Sequence, residues 1–503
     1  MTPLPATVGE VLAFGAAAWP DALYAMAVDG AETISHGELL HQAASIAALL
    51  HTQGLRPGDT VSLVMPNGLH TLRCLLGAMA SGLTVNPVNL LSQPDQMRYV
   101  LGHSDCKAVI TTPEWEARVR EHLATLNREV VLLVGEANAP APPRADFAWP
   151  RVDAQSIALL MYTSGTTGQP KGVMLSQASL IANARAITHE HQLTRADRVL
   201  AVLPLFHINA FAVTMLAPLV SGGSLALPPR FSAAKFWAQS QQSQCTWINV
   251  VPTMISYLLE GEVPPREMTQ TLRFCRSASA PLPPEHLRAF EARFGVGVIE
   301  TMGLTETVAP CFSNPLDATQ RKLGSVGRAS GCLACVIDAQ LQPVPDGTTG
   351  EIALRGANVM RGYYKNPEAT AASFTADGWL RSGDLGHRDA DGFYVVTGRI
   401  KELIIKGGEN IAPREIDEAL LLHPAVLDAA AVGMPDRHYG QEILACVVLR
   451  AGHACSEDEL RAFSEGKLGR YKTPKQFRFV GELPRGPSGK VQRLKLLEWP
   501  PQS

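Results

Sequence analysis

The chain has 503 residues, 46% of them hydrophobic, too many for one ordinary core, so two or more domains are expected. Forty-four basic residues against forty-seven acidic ones leave a net charge of −3, which excludes a nucleic-acid-binding polycation. Forty-two Gly and thirty-six Pro are spread along the chain without a low-complexity block, which excludes a disordered, linker-rich protein.

Residues 10–19 and 35–53 read as amphipathic helices, 60–65 as a short strand and 69–81 as helix again. Runs 107–111 and 130–134 are strand-like, and the alternation predicts an α/β fold of layered, mostly parallel sheets. Residues 137–151, rich in Pro and Ala, read as a surface connection, and the apolar run 156–162 feeds a glycine-rich turn. The stretch 199–228 is apolar enough to raise a membrane span, but Pro204, His207, Asn209, Pro218 and the Gly222-Gly223 pair interrupt it. Buried core strands and helices are therefore expected, with no stable membrane insertion. From Val326 onward, strands at 336–339, 350–355 and 393–396 alternate with turns such as Pro345-Asp-Gly and Asp389-Ala-Asp-Gly, which predicts an antiparallel, barrel-like subdomain. After Gly398 the order is strand, Gly-Gly turn, helix (413–422), two strands (427–434, 442–450) and helix (457–468), a compact α+β unit. The expected domains are a large N-terminal one over 1–398, a hinge at 399–401 and a small C-terminal one over 402–503.

Nine scattered cysteines suit a reducing compartment better than a disulfide framework. Cys332 and Cys335 form a C-x-x-C with no second pair, and ordinary thiols are the expectation. Met1-Thr-Pro-Leu-Pro carries no export signal and Pro501-Gln502-Ser503 no peroxisomal address, so a cytoplasmic location is expected.

Tyr162-Thr-Ser-Gly-Thr-Thr-Gly-Gln-Pro-Lys-Gly172 is the most informative stretch. Gly165, Gly168 and Gly172 let backbone N–H groups close on an anion, Thr163, Ser164, Thr166 and Thr167 add hydroxyls, and Lys171 adds charge. After a buried strand, such a loop is built to hold phosphates. It is not the Walker loop, because Gly168 is followed by Gln169 rather than Lys, so plain γ-phosphoryl transfer is not favoured.

This loop resembles the signature of the adenylate-forming superfamily, which holds acyl-CoA synthetases, adenylation domains of peptide synthetases and firefly-type luciferases. Leu203-Pro-Leu-Phe-His207, Glu300-Thr-Met-Gly-Leu-Thr-Glu306, Gly378-Trp-Leu-Arg-Ser-Gly-Asp384, Gly398-Arg-Ile-Lys-Glu402 and Pro484-Arg-Gly-Pro-Ser-Gly-Lys490 resemble its further motifs, in order and over nearly the whole chain. The resemblance implies an acid–thiol ligase that converts a carboxylic acid and ATP into acyl-AMP and pyrophosphate, then passes the acyl group to coenzyme A. It also implies that the small C-terminal domain is mobile.

Two anions must meet in the first step, so cations have to offset their repulsion. By resemblance, the loop and Lys171 hold the outer phosphates, Thr305 assists, and Glu306 is the magnesium ligand. Asp384 accepts the ribose hydroxyls with support from Arg399. Ser279, Ala280, Glu300, Thr301 and Met302 lie beside the adenine, with Met302 standing where an aromatic ring is usual. Lys490 bridges acid and α-phosphate during adenylation and is counted as catalytic with Glu306, Thr163 and His207. Lys401 is the hinge, and Lys406, Gly407, Gly408 and Glu409 line the coenzyme A tunnel.

The segments 229–237, 246–253 and 276–280 are similar to the oxalate–CoA ligase branch, and 313–317 to malonate–CoA ligases. Both kinds activate short acids with a second negative charge. The oxalate branch tends to carry histidines where this chain has Asn209 and Ala309, which points to a different short anion. Sulfoacetate, malonate and oxalate are candidates, and crotonobetaine-type or simple short-chain acids stay open. His207, Asn209, Trp247, Ser277 and Ala309 are expected in the acid pocket. A carrier-protein thiol in place of coenzyme A, a luciferase-like oxidation and a non-catalytic scaffold are the rival functions. No nucleic-acid partner is expected, and the chain is read as a monomer or homodimer.

Overall fold

The structure is a computed structural model that describes residues 4–28, 30, 32–163, 169–486 and 490–500. Its first helices begin where the sequence caps them. Thr7 and Glu10 form a capping box on Val8–Ala18, and Ser35 and Glu38 do the same on His36–Thr52. The helix Leu69–Ala80 is buried along almost its whole length between layers, which explains why its apolar residues do not keep to one stripe.

Two large sheets follow. One has seven strands, in the order Gly362–Tyr363, Lys171–Ser176, Ile157–Thr163, Thr84–Pro87, Thr60–Val64, Ala108–Thr111 and Val131–Val134. Its last five are parallel, and the first three pair antiparallel. The other has nine strands, with Trp247–Val250, Phe274–Ser277 and Val298–Met302 side by side and parallel. A single cluster of buried side chains runs through both sheets and the helices between them. The crevice beyond the C-terminal ends of such parallel strands is where α/β folds place ligands. Here the loops carrying Ser279 and Glu306 leave those ends.

The apolar stretch 199–228 is core, as expected. It supplies the strands Arg198–Leu200 and Ser224–Leu227, the short helix Ala217–Ser221, and a π-helix, Asn209–Leu216, buried at every position. No helix among the described residues is long and apolar enough to cross a membrane. Residues 137–151 take no regular structure but are pinned: the buried Arg73 donates to the Ala139 carbonyl at 2.8 Å. Cys332 and Cys335 are free thiols, and no metal-holding group of His, Cys, Asp or Glu occurs among the described residues.

The antiparallel, barrel-like piece is a four-stranded sheet of Leu333–Ile337, Gly350–Arg355, Leu380–Arg388 and Tyr394–Arg399. Beyond it a five-stranded sheet is built on Gly440–Leu449. On that strand Ile443, Ala445 and Val447 face one core, which includes Ile416 and Leu460 from the helices Pro413–Leu421 and Glu457–Lys472. Leu444, Cys446 and Val448 face a second core that includes Leu496 of the C-terminal tail. A strand covered on both faces reads as an unbroken apolar run, which Ile443-Leu-Ala-Cys-Val-Val-Leu449 is. These two cores share no buried residue with the rest of the chain.

Candidate active site

The hairpin Ile157–Thr163 and Lys171–Ser176 brings Thr163 directly opposite Lys171. The expected phosphate-loop residues Ser164, Gly165, Thr166, Thr167 and Gly168 lie outside the described residues. The Lys171 ammonium sits 4.8 Å over the Tyr363 ring, a cation–π contact. Tyr363 in turn donates its hydroxyl to Glu306 Oε1 at 2.8 Å. The backbone of Glu306 is fixed as well, because its carbonyl accepts the Met360 N–H at 2.8 Å. Thr305 and Glu306 occupy a single 3-10 turn, Thr305–Thr307, just past the strand Val298–Met302. Tyr363 has no place in the motifs; the cue for it is the run Gly362-Tyr-Tyr364, two aromatic rings at a glycine turn.

Asp384 and Arg399 are cross-strand partners on adjacent antiparallel strands, joined Oδ1 to Nε at 2.8 Å. Asp384 is buried, and burial pushes its carboxyl up against the opposing pull of Arg399 and Lys490. Its second oxygen, Oδ2, is buried and accepts no hydrogen bond among the described residues. A buried acceptor left open in this way fits a ligand hydroxyl.

Lys490 comes from the C-terminal unit, yet Arg399, Asp384, Glu402 and Glu306 all lie close enough for their charges to act on it. Burial, with Arg399 adding to it, pulls its ammonium down to about 8. A narrow hairpin presents it: Arg485 and Val491 bridge, and the Gly486 N–H donates to the Lys490 carbonyl at 2.8 Å. Arg493 then ties the tail down. It donates to the Ala431 carbonyl at 2.8 Å and to Glu402 at 3.2 Å, and it pairs with the buried Asp417. Lys401 stands exposed in the 3-10 turn Ile400–Glu402 between the two units.

The expected tunnel residues are elsewhere. Gly407, Gly408 and Glu409 form the exposed tip of the hairpin Ile404–Lys406 and Glu409–Ile411. Gly407 has φ +56°, and a Cβ there would come within 3.2 Å of both Tyr439 and Tyr471. The Lys406 side chain turns inward, paired with Glu442 at 2.9 Å and donating to the Tyr471 carbonyl at 2.9 Å. In this arrangement its ammonium is committed inside the small unit.

On the adenine side, Ser279 holds φ +76°, a left-handed conformation costly for a side-chain-bearing residue, with Ala280 next to it. Thr301 donates to the Ser277 carbonyl at 3.3 Å, and Met302 is half-buried at its strand end. Ala309, at φ +45°, is held by its carbonyl to Asn183, which also donates to Thr307 and Pro310. The glycine of the Met302-Gly-Leu-Thr-Glu motif permits this approach, since a Cβ on Gly303 would lie 2.7 Å from the Ala309 and Pro310 Cα atoms.

Glu300 is buried. Its carboxyl accepts the Leu282 N–H at 3.3 Å and feels Arg414 of the C-terminal unit, and burial raises it from 4.5 to about 7. A carboxyl whose folded value is raised lends stability that is full below 4.5 and lost as pH climbs through about 7. A shift of this size corresponds to about 3 kcal/mol. Glu300→Gln keeps the acceptor without the charge, so the variant is expected to be more stable than the parent at pH 8 and no more stable at pH 4, read from denaturation curves at both pH values.

At the acid end, Asn67 clamps the segment before His207, donating to the Leu203 carbonyl and accepting the Leu205 N–H, both at 2.9 Å. His207 is half-buried against Phe206, and its carbonyl accepts the Phe211 N–H. Asn209, the first residue of the π-helix, accepts from Arg276 at 2.7 Å and donates to Ser279 at 3.2 Å. Asn249 accepts from Arg276 at 2.7 Å and donates to Asn209 at 3.3 Å. Trp247 lies one pleat below Asn249 and spends its ring on Phe274, so it is a core residue under this polar cluster rather than part of it. Ser277 is buried and pairs with Glu300 in the sheet. Arg276 and Asn249 fall in the segments similar to the oxalate branch, but no role is expected of them there; their own signal is a polar residue set inside a run that otherwise reads as a fully buried strand, Phe274-Cys-Arg-Ser and Trp247-Ile-Asn-Val.

The AMP-binding enzyme family matches residues 13–364, and the AMP-binding enzyme C-terminal domain matches residues 415–490. This chain belongs to the AMP-binding enzyme family. The AMP-binding enzyme is 57% identical to the sulfoacetate–CoA ligase of Cupriavidus necator, across 98% of this chain and 97% of that one. It is 35% identical to the oxalate–CoA ligase of Arabidopsis thaliana, across 93% and 94%. Its fold matches the crystal structure of ATP-bound MatB from Rhodopseudomonas palustris with a TM-score of 0.88 at 30% identity, covering 98% of each chain. This AMP-binding enzyme is an ATP-dependent acyl-CoA synthetase of the adenylate-forming superfamily.

Proposed function

We propose that this synthetase joins sulfoacetate to coenzyme A by way of sulfoacetyl-AMP. The 57% identity to the sulfoacetate–CoA ligase, sustained over 98% of the chain, carries the assignment. The exchange of two expected imidazoles for Asn209 and Ala309 agrees with an acid other than oxalate.

In this reading the Asp384 carboxylate takes the ribose hydroxyls with its open oxygen and holds Arg399 with the other. The loop 163–171 holds the outer phosphates. The acid lies between His207 and Ala309, its carboxylate facing the α-phosphorus, and attacks it as pyrophosphate leaves. Lys490 joins carboxylate and α-phosphate, lowering the repulsion between them. Magnesium suits the donor set, because one carboxylate, Glu306, together with phosphate oxygens is how this ion is usually held. When bound it would neutralise charge on the phosphates. In the second step the coenzyme A thiol attacks the acyl carbon and AMP leaves. The hairpin tip Gly407–Glu409 would line the thiol path after the C-terminal unit turns about Lys401.

Pyrophosphate release with sulfoacetate, malonate, oxalate and butanoate, each with and without coenzyme A, tests the proposal. Sulfoacetate is expected to give a kcat/KM at least about 10-fold above the other three, the scale on which pockets separate near-isosteric acids. Equal or better turnover of any other acid overturns it.

A further inference from the structure

Arg276 is fully buried, on a strand between two others, at the acid end of the site. Of its donors, Nη1 is shared by the carbonyl oxygens of Asn209 and Asn249, both at 2.7 Å. Nε and Nη2 are buried and have no partner among the described residues. Among the described residues no carboxylate offsets the charge; burial acts on the guanidinium and pulls it down to about 9. A buried charge without a counter-charge is costly, and a folded chain tolerates one chiefly where a ligand supplies the opposite sign.

The network also fixes the neighbouring amide. Because Arg276 and Asn249 both donate to Asn209 Oδ1, the Asn209 NH2 group must face the other way, and it does so toward Ser279 beside the nucleotide crevice. Ser279 is itself held at φ +76°. The cation stands behind, and the donors of a carboxamide and a hydroxyl stand in front.

We propose that Arg276 is the specificity-determining residue for the acid: it orients Asn209 and supplies the missing positive charge for the second anionic group, so that the sulfonate of the substrate rests against Asn209 and Ser279 while the carboxylate faces the α-phosphate. This rests on the sulfoacetate reading and explains it physically. Arg276 is a positioning residue, acting through Asn209 and through its field. A neutral-tailed acid of the same length gains nothing from the arrangement.

The test compares kcat/KM for sulfoacetate and for butanoate in the parent enzyme, Arg276→Lys, Arg276→Gln and Asn209→Asp. The sulfoacetate-to-butanoate ratio is expected to fall by about 100-fold in Arg276→Gln, through KM for sulfoacetate, and to recover to within about 10-fold in Arg276→Lys, which restores charge without the planar fork. Asn209→Asp gives the guanidinium an internal counter-charge, so it keeps the polar cluster satisfied and should lose the ratio to a similar extent; it serves where Arg276→Gln does not fold. A purely structural role for Arg276 would lower both acids together, and a ratio within about threefold of the parent in Arg276→Gln and Asn209→Asp overturns the inference. A parent enzyme that prefers butanoate overturns the sulfoacetate assignment itself, whatever the variants do.

Discussion

Replacing Lys490 with alanine is expected to lower acid-dependent pyrophosphate release by at least about 100-fold, the usual cost of removing one well-placed charge donor from a polar transition state. Formation of the thioester from supplied acyl-adenylate is expected to stay within about threefold of the parent, because no role for the ammonium remains once pyrophosphate has left. The asymmetry comes from the surroundings of the side chain. It enters from the other unit and finds Arg399, Asp384, Glu306 and Glu402 around it. Its ammonium is held at about 8 in the free enzyme, so it is charged at neutral pH and loses its proton just above. The kcat/KM for adenylation should therefore fall as pH rises through about 8, and the supplied-adenylate reaction should lack that limb. Equal loss in both half-reactions of the alanine variant would contradict this division of labour.

Asp384→Asn is expected to raise the KM for ATP by about 10- to 100-fold, as loss of charge-assisted hydrogen bonds to two hydroxyls would do. Asparagine nearly preserves shape, but it trades one acceptor oxygen for a donor, and it leaves Arg399 without its counter-charge. The loss should be specific: the same variant assayed with a nucleotide lacking ribose hydroxyls should differ little from the parent enzyme assayed with that nucleotide. An unchanged KM for ATP would remove Asp384 from the nucleotide site. Asp384→Ala is less informative, because it empties a buried position and strips Arg399 of its partner, so it confuses binding with stability.

Much of this was legible in the sequence because the relevant chemistry is local. The helix start at Ser35 follows from a capping box written within four residues, whereas the box at Thr7 begins its helix ahead of the expected residue 10. The doubly covered strand Gly440–Leu449 follows from an unbroken apolar run. The residues proposed to hold the nucleotide sit in short motifs whose glycines and hydroxyls announce an anion. What escaped is chemistry that forms across the chain. Tyr363 meets Glu306 and Lys171 only because three strands and a turn converge. Arg276 and Asn249 stand 27 residues apart and meet the expected pocket residue Asn209 only in the fold, and each alone reads as an irregularity in a core strand. Trp247 shows the opposite error, since an indole near a pocket motif looks like lining and proves to be a floor beam on Phe274. The π-helix Asn209–Leu216 has no propensity signature either, because its extra residue per turn is imposed by packing.

The tie from Arg493 to Glu402 has a mechanical consequence. Glu402 follows the residue expected to pivot, and Arg493 lies three positions past the lysine. Tail and pivot are thereby cross-braced, with Asp417 and Ala431 as further struts. In the proposed turn about Lys401, Lys490 therefore leaves with the C-terminal unit as a whole rather than as a lone side chain on a loose tail. On that proposal, cation and thiol path are mutually exclusive positions of one lever, and geometry rather than the affinity of either substrate would order the two chemical steps.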